Sequence, residues 1–233
     1  MTESFADKVI RFNKNLNFTG VLPPGINIMN PFREDEKIIP ISSAFYHKFY
    51  HDTNSRHLIL GINPGRFGGG VTGVPFTDSK RLKNECGIAY TGKETHEPSS
   101  VFVYDVIHAY GGPAAFYQKF YINSICPLGF TATGKNGKEV NYNYYDSREL
   151  TAAVYDFIIQ SIRQQISFGI NTNVCFCFGT GKNEKFLRQL NAEQKFFEKI
   201  VALEHPRFVM QYKARTKSIY IDKYLAAFHK ATL

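Results

Sequence analysis

The chain has 233 residues, 43% of them hydrophobic, which is enough to bury one full α/β core. Lys and Arg number 28 against 20 Asp and Glu, and the formal charge of +8 favours a polyanionic partner. No secretory leader and no apolar run of ~18 residues appears, so a membrane span is excluded and a soluble intracellular protein with one domain over 1–233 is expected.

Phe5, Val9, Phe12 and Leu16 recur at spacings of three and four, which predicts an amphipathic helix over about 3–18. Residues 22–32, with Pro23, Pro24 and Pro31, read as an irregular connector. Ser42 or Ser43 is the expected cap of a second helix that runs to about Tyr50, so that 1–50 forms a helical region packed on the rest. Leu58-Ile59-Leu60 marks a first buried strand, 57–62, which empties at Gly61 into a glycine-rich loop closing on Phe76. Pro98-Ser99-Ser100 opens a helix and Gly111-Gly112 stops it. A short helix over about 114–119 leads to a second strand, 120–125. The polar segment 129–145 has little periodicity and is expected to be irregular. Asp146 with Glu149 predicts a capping box for a helix over 147–165. Strands follow at 173–178 and 199–203, and a last helix from near Thr216 is expected to bury Ile221, Tyr224, Leu225 and Phe228. Four short strands separated by helical crossovers predict an α/β fold, a three-layer α/β/α sandwich around a four-stranded parallel sheet.

Cys86, Cys126, Cys175 and Cys177 equal in number the ligands of an iron–sulfur cluster. They include no C-x-x-C pair, and Cys175 and Cys177 alternate along a predicted strand, so they read as small buried hydrophobes. The loop after the first strand contains a literal G-x-G-x-x-G, Gly68 to Gly73. A dinucleotide fingerprint must follow its strand directly and open a helix. Here Pro64 intervenes and Pro75 follows where the helix would grow, so that reading is rejected, leaving a purely structural loop or a different chemistry.

Gly61-Ile62-Asn63-Pro64-Gly65, then Phe67-Gly68 and Thr72-Gly73-Val74-Pro75-Phe76, resemble the first motif of the single-strand-selective monofunctional uracil-DNA glycosylases, within the uracil-DNA glycosylase superfamily. The likeness runs over 16 positions without a gap. It implies an α/β/α fold, Asn63 positioning an attacking water, and Phe76 stacking on a flipped base beside Ile62. Taken alone, Asn63 would read as a strand-end cap and Phe76 as a core aromatic. Gly65 stands where other superfamily members carry a tyrosine that excludes the thymine methyl, which implies room beside C5 of a pyrimidine.

Cys126-Pro127-Leu128 after the second strand resembles a further family segment. In that register the base-reading Asn falls on Ser124, with Asn123 one position earlier. Alternation along the strand points the two side chains apart. Ser124 is expected to face the site, with Asn123 as the reserve through a bulge. After the third strand, Gly179-Thr180-Gly181-Lys182 is either an ordinary strand–helix turn or a phosphate seat built from Gly181, Lys182 and free helix amides. After the fourth, Glu204-His205-Pro206-Arg207 resembles the superfamily's second motif, in which the histidine contacts the departing base. The family's Ser and second Pro are missing there. Arg207, Gln211, Lys213, Arg215 and Lys217, interleaved with Phe208, Met210 and Tyr212, suit phosphate contact and an apolar wedge.

The resemblance thus implies a monofunctional DNA glycosylase acting on uracil and related deaminated or oxidised bases in single- or double-stranded DNA. Asn63 and His205 would be its catalytic pair, and the enzyme is expected to be a monomer that needs no metal or cofactor. No lysine stands where a Schiff base would require one. The competing classes are a non-catalytic nucleic-acid-binding module on the same fold and an enzyme using a nucleotide cofactor.

Overall fold

The computed structural model describes residues 2–232. Its strands are β1 (Ile26–Met29), β2 (Arg56–Gly61), β3 (Phe120–Ser124), β4 (Gly129–Thr133), β5 (Glu139–Tyr142), β6 (Ile170–Phe178) and β7 (Lys199–Leu203). The four strands anticipated from apolar runs form a parallel sheet in the order β3-β2-β6-β7, with Gly61 opposite Ser124 and Phe178 opposite Leu203. Every residue of β2 is buried, as a central strand covered on both faces requires.

Alternation along β3 builds the three layers. Phe120 meets Phe228 of the helix Lys217–Thr232, at 4.7 Å between ring centroids, and Tyr110 of the helix Pro98–Tyr110. Its neighbour Tyr121 points the other way, onto Phe5 of the helix Phe5–Asn15 and onto Phe168. Helices therefore cover both faces, as predicted. The N-terminal helix is tied to β2 by Arg56, a fully buried guanidinium between the rings of Phe5 and Tyr50. Two 2.8 Å hydrogen bonds to Asp52 and one to the Tyr117 carbonyl neutralise and satisfy it, as a buried charge demands.

The structure corrects several local expectations. The connector 22–32 contains β1, and 129–145 is not irregular. It folds as a β4–β5 hairpin, and with β1 it makes a separate antiparallel sheet in the order β1-β4-β5. The first three residues of β4 are buried in succession and β5 is largely exposed, so neither carries a clear hydrophobic alternation. The signal that could have found the hairpin is Asn136-Gly137, a turn dipeptide, with Gly137 at φ +70°. The helix Ile38–Tyr50 starts before Ser42, which lies buried inside it and donates to the Ile39 carbonyl instead of capping. The helix Arg148–Ile166 is capped by Ser147, whose Oγ accepts from Leu150 N, while Asp146 accepts from Asn143 N. The last helix buries Tyr224 and Phe228; Ile221 and Leu225 are only half-buried. A short helix, Ser79–Asn84, capped by Asp78, was not anticipated.

The glycine loop is compact. Gly68 and Gly70 both donate to the Gly65 carbonyl, and one helical turn, Gly69–Thr72, ends at Gly73 with φ +70°. No helix grows beyond that turn, as the rejection of a dinucleotide fingerprint requires. All four cysteines are free and buried. Burial lifts the Cys126 and Cys177 thiols to about 12, which suits their reading as apolar filling. Among the described residues, no helix is long and apolar enough to cross a membrane.

Candidate active site

Asn63, Ser124 and His205 leave the carboxyl ends of β2, β3 and β7 and line one cavity of about 520 Å³, where an open parallel sheet places its ligands. Ile62, Gly65 and Phe76 from the glycine loop, and Arg207 and Gln211 from the helix Pro206–Tyr212, join them on its wall. Residues separated by about 140 positions in the chain are thus brought to one site.

The Asn63 amide is held at both ends by backbone. Its Nδ2 donates to the Tyr142 carbonyl at 3.2 Å, and its Oδ1 accepts from Tyr144 N at 3.1 Å. These partners fix which way the amide faces. One lone pair of Oδ1 remains for a water. The hairpin that the sequence conceals is therefore what orients the Asn63 amide.

Phe76 adopts φ +52°, in the left-handed region that non-glycine residues rarely enter. Such a conformation costs on the order of 1–3 kcal/mol and is found at ligand clamps. The ring rests on Gly61, where a Cβ would stand 2.7 Å from its edge. It packs edge-on against Phe178 at 5.5 Å and lies 5.8 Å from the His205 ring. A side chain at position 61 would push this platform out of place.

His205 is the N-cap of its helix, and its Nδ1 accepts from Arg207 N at 3.1 Å. An Nδ1 that accepts carries no proton, so the neutral ring has its hydrogen on Nε2. Burial, and then the nearby Arg207 charge, lower its pKa to about 4. At neutral pH it is a donor without positive charge.

The strand-end choice at β3 resolves toward Ser124, which lines the cavity while Asn123 does not. Asn123 is buried elsewhere, donating to the Tyr121 hydroxyl at 2.8 Å and accepting from Ser124 N. No bulge turns it toward the site, because β3 stays in register with β2 to Ser124.

Gly181 and Lys182 lie outside the cavity at the exposed start of the helix Lys182–Gln194, which has no side-chain cap on its first amides. Lys182 sits 5.8 Å over the ring of Tyr145, itself a cavity residue. Lys213 and Arg215 are exposed beyond the rim. Lys217 differs from them, being paired with Asp105 at 2.6 Å. Phe208 and Tyr212 stand exposed at the cavity mouth.

Sequence reasoning missed Glu97, Asn141, Asn143 and Tyr145, all on the cavity wall, and Asn183 behind it. Buried Asn183 accepts from the Tyr144 hydroxyl at 2.8 Å and donates to the Phe178 carbonyl, locking the hairpin to the end of β6. Pro98 at a helix start could have pointed to Glu97 as the residue before it; the others carry no local signal.

The family model described as the uracil DNA glycosylase superfamily matches residues 47–229, and the chain belongs to that superfamily. It is similar over 99% of its length to wild-type SMUG2 from Pedobacter heparinus, a crystal structure with 63% sequence identity, a TM-score of 0.97 and 99% of that chain covered. No curated protein matches the chain. The family expected from 61–76 is borne out, and with it a monofunctional glycosylase of DNA repair that hydrolyses the N-glycosidic bond.

Proposed function

We propose that the cavity takes one extruded nucleotide of DNA, stacks its base on Phe76, and releases that base by hydrolysis with Asn63 and His205 in the two chemical roles. The observation that carries this is the convergence of a pre-oriented amide, a neutral imidazole and an aromatic platform on one cavity. As the glycosidic bond stretches, the sugar becomes oxocarbenium-like and the base becomes anionic. His205 Nε2–H meets the anion as its charge develops, a donor preorganised for the transition state. Asn63 Oδ1 holds the water on the sugar. An amide is a poor base, so bond breaking runs ahead of water attack.

Ser124 offers the base one hydroxyl, which both donates and accepts but cannot read an edge bidentately. With Gly65 leaving space beside C5, this favours several uracil-like bases over strict reading of uracil. Arg207, Gln211, Lys213, Arg215 and the Gly181–Lys182 helix start grip phosphates, and Phe208 and Tyr212 fill the gap left in the stack. The enzyme acts as a monomer. The test is release of uracil from single- and double-stranded oligonucleotides, read as alkali-labile abasic sites. Tight DNA binding with no base release would replace this reading with the non-catalytic module.

A further inference from the structure

Glu97 reaches the cavity from the N-cap position of the helix Pro98–Tyr110, where its backbone N–H donates to Asp78 Oδ2 at 2.7 Å. Its Oε2 accepts from Ser100 Oγ at 2.8 Å, while Oε1 has no hydrogen-bond partner among the described residues. Two glycines make room for this carboxyl. A Cβ at Gly65 would lie 3.3 Å from Oε1, and one at Gly68 only 2.5 Å from the carboxyl carbon. The free oxygen therefore sits beside Gly65, in the space that the missing side chain leaves open. Burial and the Asp78 charge raise the pKa to about 7, against the opposing pull of the Ser100 hydrogen bond and Arg207. Near neutrality Oε1 presents either a proton or a lone pair.

We infer that Glu97 is a specificity-determining residue whose free Oε1 hydrogen-bonds a polar atom on the base edge beside Gly65, either the hydroxyl of a 5-hydroxymethyl group or N7 of a deaminated purine. The inference rests on the base-binding role proposed for this cavity. C5 of a pyrimidine and N7 of a purine fall at equivalent places when their glycosidic nitrogens coincide, so one carboxyl serves both. Uracil has only C–H there and leaves Oε1 to water. Thymine would press a methyl onto Oε1 and strip its water without offering a partner, a cost that excludes it chemically where bulk does not. An open pocket can in this way admit a hydroxymethyl group and still refuse normal DNA.

The test compares wild-type enzyme with Glu97→Ala and the isosteric Glu97→Gln in single-turnover excision of uracil, 5-hydroxymethyluracil, hypoxanthine and thymine from otherwise identical oligonucleotides. Glu97→Ala is expected to lose about tenfold more activity on 5-hydroxymethyluracil and hypoxanthine than on uracil, the usual worth of one hydrogen bond to a charged or strongly polar group. Discrimination against thymine should narrow, and Glu97→Gln should recover part of both effects. Loss on 5-hydroxymethyluracil alone would assign Glu97 to the hydroxyl, and loss on hypoxanthine alone to N7. Equal losses on all bases, or none, would overturn the inference. A second arm measures affinity for uncleavable 2′-fluoro-arabino nucleotides carrying uracil or 5-hydroxymethyluracil. If wild type releases no base at all, the glycosylase reading falls, and this arm alone decides Glu97: an unchanged affinity ratio in Glu97→Ala refutes it.

Discussion

The two candidate catalytic residues, Asn63 and His205, are held in opposite ways. His205 is fixed by its own next turn, through a hydrogen bond to the backbone two residues on. Asn63 is fixed by Tyr142 and Tyr144, about 80 residues away, at the end of a hairpin from another sheet. A locally anchored residue can be oriented by the motif that contains it, whereas a remotely anchored one is only as well placed as the fold behind it.

Removing the remotely held group itself should have one of the two largest effects. Asn63→Ala is expected to slow single-turnover excision by about 10²–10³-fold, since a misplaced reactant can cost about 10², with affinity for an uncleavable lesion kept within a few-fold. Collapse of that affinity would make Asn63 a loop support. Its anchor can be weakened without touching the cavity wall. Tyr144→Phe leaves the buried Asn183 oxygen without its donor, and should cost about 1–3 kcal/mol of stability in denaturant titration. If excision slows roughly tenfold while binding persists, the hairpin orients Asn63. An unchanged rate would show that the Asn63 amide is held without the Tyr144 hydroxyl.

This contrast also explains what could be read in advance. The apolar run of β2, the loop signature from Gly61 to Phe76 and the His205-Pro206 pair are local patterns, and the sheet and the catalytic candidates followed from them. Ser124 was preferred to Asn123 by its register with Cys126-Pro127-Leu128, with strand alternation turning the two side chains apart, and both are local rules. The hairpin escaped because β5 is exposed and its pairing with β4 leaves no buried stripe in the sequence. Glu97, Asn141 and Asn183 escaped for a related reason. Each matters through where the chain folds back, and a lone polar residue carries no period to announce it.

Locally held His205 makes a different forecast with pH. Its folded pKa of about 4 lies below its ordinary 6.5. The unfolded chain takes up this proton first as pH falls, so the group's contribution to stability is present above about 6.5 and is lost on the way down to about 4. Excision at fixed DNA saturation should show no His205 protonation step between pH 8 and 5. A step centred near 6.5 that persists in Glu97→Gln would place the imidazole in water. Smaller effects belong to the rim. Lys213→Ala and Arg215→Ala should each lower the log–log salt slope of duplex binding by ~0.9. Lys217→Ala should lower it less, because Asp105 already neutralises that charge.

If neutral His205 stabilises the negative charge of the departing base, the effect of removing it must depend on the leaving group. His205→Ala and wild type would be compared in single-turnover release of uracil and of 5-fluorouracil, whose anion is intrinsically more stable. A donor active only in the transition state appears in the rate and not in ground-state affinity. The account predicts a loss of about 10²–10³-fold on uracil, and a clearly smaller loss on 5-fluorouracil. The same penalty on both bases would contradict it, and would leave His205 as no more than the cap of its helix.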